Sequence, residues 1–121
     1  MSDHIEIGKE GEDRAVRFLI NAGFKIKNRN WRFGKNEIDI IAEKENLLVI
    51  VEVKTRTNDY FENPKEAVTK KKQRFIIKAT EAYIQQFNIN LETRFDIISV
   101  LTHNGKIEIE HIEDAFQASL L

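Results

Sequence analysis

A chain of 121 residues, 41% hydrophobic and 32% charged, with one proline and five glycines, has the size and composition of one folded domain and excludes disorder and low-complexity sequence. No apolar run approaches the roughly 18 residues of a membrane span, the N-terminus lacks a basic-then-apolar export signal, and zero cysteines remove disulfides, thiolate zinc sites and thiol nucleophiles. The expectation is a single cytoplasmic domain over 1–121 with a net charge of −1, no membrane partner, and only oxygen or histidine to offer a metal.

Ser2 and Asp3 can cap a helix whose inward stripe runs Ile5, Gly8, Glu12, Ala15, Leu19 and Ala22, with Gly23 as its stop. Glu12 occupies an apolar slot, so its carboxylate either meets a partner at the edge of the core or reaches solvent near the helix N-terminus. Phe24 to Lys27 alternates apolar and basic residues, the period of a strand, and Asn28 to Lys35 reads as a polar connection. Glu37 to Ala42 and Leu47 to Lys54 are β-branched runs separated by a polar turn, hence antiparallel neighbours, the second apolar on both faces until Glu52 and therefore central. Asn63-Pro64-Lys65-Glu66 predicts a helix start, with the helix running to about Phe87. Arg94 to Leu101 is a further strand, Asn104-Gly105 a hairpin turn into Lys106 to His111, and a short helix can close the C-terminus. The order α-β-β-β-α-β-β describes an α/β fold with a mixed central sheet flanked by helices.

Side-chain alternation puts Leu48, Ile50, Glu52 and Lys54 on one face, so an apolar row ends in a carboxylate and an ammonium group. Hairpin pairing brings Asp39 opposite residues 50 to 52, beside Glu52. Adjacent carboxylates repel unless a cation joins them. Asp39 and Glu52, with Glu12 as a third acid, are ligands of the kind Mg²⁺ and Mn²⁺ take, and Lys54 is placed to orient a water or offset phosphate charge. The competing account makes Glu52 and Lys54 a strand-end ion pair and Asp39 a solvated edge residue. Charge is also segregated: Arg14 to Lys35 holds seven basic residues and no acid, and Lys54 to Lys78 holds eight against three, a distribution suited to phosphate contact.

Asp39 followed thirteen residues later by Glu52-Val53-Lys54 resembles the PD-(D/E)xK signature of restriction-endonuclease-like nucleases, and Glu12 resembles the extra acid of Holliday-junction resolvases. The match is closer to the YraN-type family of small, resolvase-like bacterial proteins. It rests on Gly8-x-x-Gly11-Glu12-x-x-Ala15, Asn28-Arg29-Asn30, Glu37 to Ala42, Val51-Glu52-Val53-Lys54-x-Arg56, Val68-Thr69 with Lys72-Gln73, and Arg94-Phe95-Asp96, in that order along nearly the whole chain. Ile38 stands where the wider signature names proline, and Asn36 where the family usually has glycine; neither change removes a ligand.

The resemblance implies a resolvase-like fold in which Asp39, Glu52 and the Val53 carbonyl hold Mg²⁺ or Mn²⁺, Lys54 assists the attacking water and Glu12 completes the catalytic set. It implies an endonuclease acting on branched DNA as a homodimer. The alternative is a nucleic-acid-binding or adaptor protein that keeps the fold without turnover. Around such a site Arg29, Arg32, Arg56, Lys72 and Gln73 are candidates for phosphate-backbone contact, and Asp96 either supports the site or caps its strand.

Overall fold

The computed structural model describes residues 2–57 and 63–118, with side chains from Gly8 onward. Its elements are α1 (Ser2–Asn21), β1 (Lys25–Phe33), β2 (Asn36–Lys44), β3 (Leu47–Thr57), α2 (Lys70–Phe87), β4 (Glu92–His103) and β5 (Lys106–Phe116), in the order expected. All five strands join one sheet in sequence order. β3 and β4 run parallel, and the other neighbours are antiparallel. The parallel step needs a crossover, which α2 supplies.

Each face of this sheet has its own core. Leu48 and Ile50 of β3 pack with Ile76, Ala79 and Tyr83 of α2, whereas Val49 and Val51 pack with Ala15 and Leu19 of α1. β3 is therefore buried on both sides because its apolar residues do not alternate with polar ones. At roughly 1.5–3 kcal/mol per buried aliphatic side chain, these two layers supply the main favourable energy of the fold.

α1 stops where predicted. The Gly23 amide donates to the Ile20 carbonyl and the Phe24 amide to the Leu19 carbonyl, with Gly23 at φ 94°, a left-handed helix end suited to glycine. Its predicted stripe is only partly inward: Gly8 and Ala22 are exposed, while Gly11 is buried against the Thr55 side chain of β3. Asn104 and Gly105 both have positive φ, as the predicted hairpin turn requires.

Three boundaries differ from expectation. β1 does not end at Lys27 but runs through Asn28-Arg29-Asn30 to Phe33, because those polar side chains find partners on α1 and α2. Asn63 to Ala67 forms an isolated turn: Asn63 Oδ1 accepts from the Lys65 amide, and the Asn63 carbonyl from the amides of Glu66 and Ala67. Thr69 then adopts an extended conformation (φ −66°, ψ 163°) and caps α2 by accepting from the Lys72 amide. β5 continues past His111 to Phe116; Ala118 then begins a 3₁₀ turn, and 119–121, the rest of the tail where a short helix was expected, lie outside the described residues.

Candidate functional site

The sheet forks at Asp39. The β2–β3 ladder runs from Lys44↔Leu47 to Ile40↔Val51 and ends there; one step further, Asp39 Oδ2 accepts a 2.8 Å hydrogen bond from the Val53 amide. A carboxylate thus replaces the backbone carbonyl that would have continued the ladder. Ile38 and Ile40 belong to opposite core layers although only two residues apart, so β2 turns sharply at Asp39. Across the other edge, the β1–β2 pairing skips from Arg29↔Ile40 to Trp31↔Ile38. Asn30, between them, has φ 52°, a left-handed conformation that asparagine tolerates better than most residues.

Glu52 lies beside this fork, with its side chain 7% exposed. Oε2 is 3.5 Å from the Lys72 ammonium group of α2, while Oε1 is buried and has no hydrogen-bond partner among the described residues. Burial pushes the Glu52 carboxyl up to about 7, and the charge of Asp39 adds to the effect against the pull of Lys72 and Lys54. Asp39 is also raised, first by burial and then by Glu12, with the Val53 amide, Lys72 and Lys54 pulling the other way. Expected proximity of the two strand carboxylates is therefore found, and their mutual repulsion with it.

Glu12 approaches from α1. Its Oε1 accepts from Arg29 Nε (3.2 Å), Arg29 Nη2 (3.0 Å) and Asn30 Nδ2 (2.9 Å). Of the two fates predicted for this residue, partnered or solvated, the structure shows the first. Arg29 also holds Asp13 at 2.7 Å, and that contact keeps the Asp13 carboxyl below its usual range. A cleft of about 390 Å³ is lined by Gly8, Glu12, Asp39, Val53, Lys54 and Thr55. It meets a second hollow, lined by Arg29, Asn30 and Glu37, along the shared Gly8 and Glu12. A groove of about 480 Å³ between α2 and the β4–β5 end has Glu81 and Asp114 as its charged lining and no basic residue.

The remaining predicted contacts fall in different places. Arg32 is exposed and pairs with Glu37 at 3.4 Å. Arg56 donates to Ser99 Oγ at 3.2 Å, beyond Lys54 on β3. Gln73 donates to the Val68 carbonyl at 3.0 Å and so holds the approach to α2. Asp96 does not join the site. It aligns with Val51 on the α1 side of β4 and accepts from Arg94, His111 Nε2 and the Asp114 amide. Sequence reasoning missed Asn30 and Asp13 as partners in the Glu12–Arg29 cluster, although Asn28-Arg29-Asn30 carried their signal, and missed the Val53 amide.

The donor set suits a hard divalent cation: Glu52 Oε1 lacks a partner, Asp39 has a second oxygen, and the Val53 carbonyl leaves its strand on the same edge as the amide that Asp39 holds. Among the described residues, however, no three carboxylate or imidazole side chains converge on one point.

The profile of the uncharacterised protein family UPF0102 matches residues 11–100, a span that contains Glu12, Asp39, Glu52, Lys54 and Lys72. The chain belongs to this family. A UPF0102 protein of Phocaeicola vulgatus is 51% identical over 116 residues, covering 96% of each chain. One of Bacteroides thetaiotaomicron is 49% identical over 120 residues and 99% of each. A third, of Flavobacterium psychrophilum, is 48% identical over 116 residues, 96% of this chain and 98% of that one. Among the described residues, no helix is long and apolar enough to cross a membrane.

Proposed function

We propose that this UPF0102 protein is a metal-dependent endonuclease of the restriction-endonuclease-like, resolvase-like kind, hydrolysing phosphodiesters in structured or branched DNA. One observation carries the reading: Asp39 and Glu52, on neighbouring strands, repel each other at the fork beside Lys54, and a buried Glu52 oxygen has no partner. Natural sequences rarely keep such an arrangement for stability alone. Asp39, Glu52 and the Val53 carbonyl would hold Mg²⁺ or Mn²⁺, which when bound supplies Lewis-acid charge and a more acidic water.

The chain's own residues do the remainder. Lys54 lines the cleft with Asp39 and orients the attacking water, whose oxygen bonds to phosphorus as the bond to the 3′ oxygen breaks, leaving a 5′-phosphate on the other product. Glu12, fixed by Arg29 and Asn30, keeps a negative charge against Asp39 and completes the acidic wall. Arg29, Arg32, Arg56 and Lys72 offer backbone-phosphate contacts without reading sequence, and Gln73 positions the start of α2. A homodimer would match the two-fold symmetry of a four-way junction, and sedimentation equilibrium tests it.

The decisive experiment incubates labelled duplex, single-stranded, flap and four-way DNA with the protein in Mg²⁺, Mn²⁺ or a chelator. Cleavage in metal is expected, with Asp39→Ala, Glu52→Ala and Lys54→Ala each lowering the rate about 10²-fold or more. Cleavage that survives Asp39→Ala or Glu52→Ala overturns the proposal. A second reading, favoured by the engagement of Glu12 with Arg29 and Asn30, is a DNA-binding or adaptor protein without turnover. It expects salt-sensitive binding that survives Lys54→Ala and no cleavage in either metal.

A further inference from the structure

Lys72 is not placed as a phosphate-contacting lysine ordinarily is. Lys70 and Lys71, beside it in the first turn of α2, are exposed to solvent. Lys72 instead turns inward: its ammonium group lies 3.5 Å from Glu52 Oε2 and 5.7 Å from the centre of the Phe75 ring. From there it attracts Asp39 as well as Glu52. A buried pair of repelling carboxylates is relieved by a proton or by a nearby positive charge, and here a side chain from the crossover helix provides the charge. The match is incomplete, since Glu52 Oε1 stays without a partner. A second cation brought to the same carboxylates would repel the ammonium group, and a lysine stem is flexible enough to swing away.

We infer that Lys72 is an internal stand-in cation: its ammonium group neutralises the Asp39–Glu52 pair in the ion-free protein and is released towards a phosphate backbone when the pair holds a divalent ion. This rests on the metal-site reading above and adds a coupling to it. Because the ion and the ammonium group compete for one pair of carboxylates, whatever draws Lys72 away favours the ion. By linkage, a polyanion that captures the freed lysine tightens ion binding, and the ion tightens polyanion binding by the same factor. The site is thereby biased to load its ion when nucleic acid is present, and its carboxylates are not left unneutralised when nucleic acid is absent.

The test needs no turnover. Mn²⁺ affinity is measured by titration calorimetry, without nucleic acid, for the wild type, Lys72→Met and Lys72→Arg. Lys72→Met keeps the apolar stem and should bind Mn²⁺ roughly tenfold more tightly, the scale of one partly buried ion pair, while Lys72→Arg should stay within about threefold of the wild type. Unchanged or weaker binding by Lys72→Met, with the wild type binding, overturns the stand-in role and leaves the metal site in place. No Mn²⁺ binding by either protein overturns both. A readout on the wild type guards against a misfolded variant. The ε-methylene NMR signal of Lys72 should move on saturation with Mg²⁺ and should stay still in Asp39→Asn; a signal that does not respond in the wild type also overturns the inference.

Discussion

Asp96 and Glu52 lie near each other across the parallel β3–β4 pair, where Val51 aligns with Asp96 and Glu52 with Ile97. Both are buried, and the surroundings treat them in opposite ways. Asp96, wholly inaccessible, accepts from Arg94 Nε and Nη2 at 2.9 Å each, His111 at 2.7 Å and the Asp114 amide at 3.0 Å. Burial alone would push this carboxyl up, but the hydrogen bonds from His111 and Arg94 overcome it and hold the group below its usual range. Glu52 has one long contact with Lys72, a repelling neighbour and a bare oxygen. The first carboxylate is built for stability. The second keeps unsatisfied bonding capacity, which is what a ligand can use.

Substitution should separate the two most sharply. Asp96→Ala takes the carboxylate from His111 and leaves Arg94 with its longer 3.4 Å contact to Glu113, and should cost about 3 kcal/mol of unfolding free energy in a urea titration. Glu52→Gln removes a repulsion and should leave stability unchanged or higher in the same titration.

The pH dependence divides them next. Glu52 is raised from 4.5 to about 7, so between those values the folded state binds the extra proton. Stability from this group is full below 4.5 and falls as pH rises towards 7, by an amount on the order of 3 kcal/mol. Glu52→Gln should flatten that slope. Asp96, lowered from 3.8, contributes stability above that value and loses it as pH falls through its folded pKa. Thermal melts from pH 3 to pH 8 read both effects.

A smaller effect tests the wall of the cleft. A methyl group at Gly11 would collide with the Thr55 side chain, so Gly11→Ala should cost about 1–3 kcal/mol by the denaturant midpoint and shift Glu12 relative to Asp39. The smallest effect is expected at Arg32, whose ion pair with Glu37 is exposed: Arg32→Ala should change stability by under about 0.5 kcal/mol. If Arg32 contacts phosphate, the same change should lower the salt slope of DNA binding by about one unit.

The Glu52 side of this contrast was legible in the sequence; the Asp96 side was not, because Arg94 reaches it along its own strand and His111 and the Asp114 amide from neighbouring β5. The closeness of Asp39 to Glu52 followed from strand periodicity and one short turn, both local properties, and the order of elements followed from hydrophobic period and caps. The start of α2 was not, because Asn63-Pro64-Lys65-Glu66 satisfies its own turn and Thr69 then caps a fresh helix. Nor was the full length of β1: Asn28, Arg29 and Asn30 look like loop residues until Tyr83 and Glu12 appear as their partners. The bond from the Val53 amide to Asp39 and the reach of Lys72 to Glu52 depend on where a strand leaves its ladder and where a crossover helix lands. Neither is encoded in a local period.

The parallel β3–β4 step has a consequence for the order of assembly. Glu12, Asp39, Glu52 and Lys54 all belong to α1 and the β1–β2–β3 meander, whereas Lys72 and the second neighbour of β3 lie further along the chain. On a ribosome the acidic residues emerge first, and long-range parallel pairing closes late. Glu52 is buried only once α2 and β4 cover its strand, so the chain meets the electrostatic penalty of its own cleft when the crossover docks rather than when the acidic residues emerge.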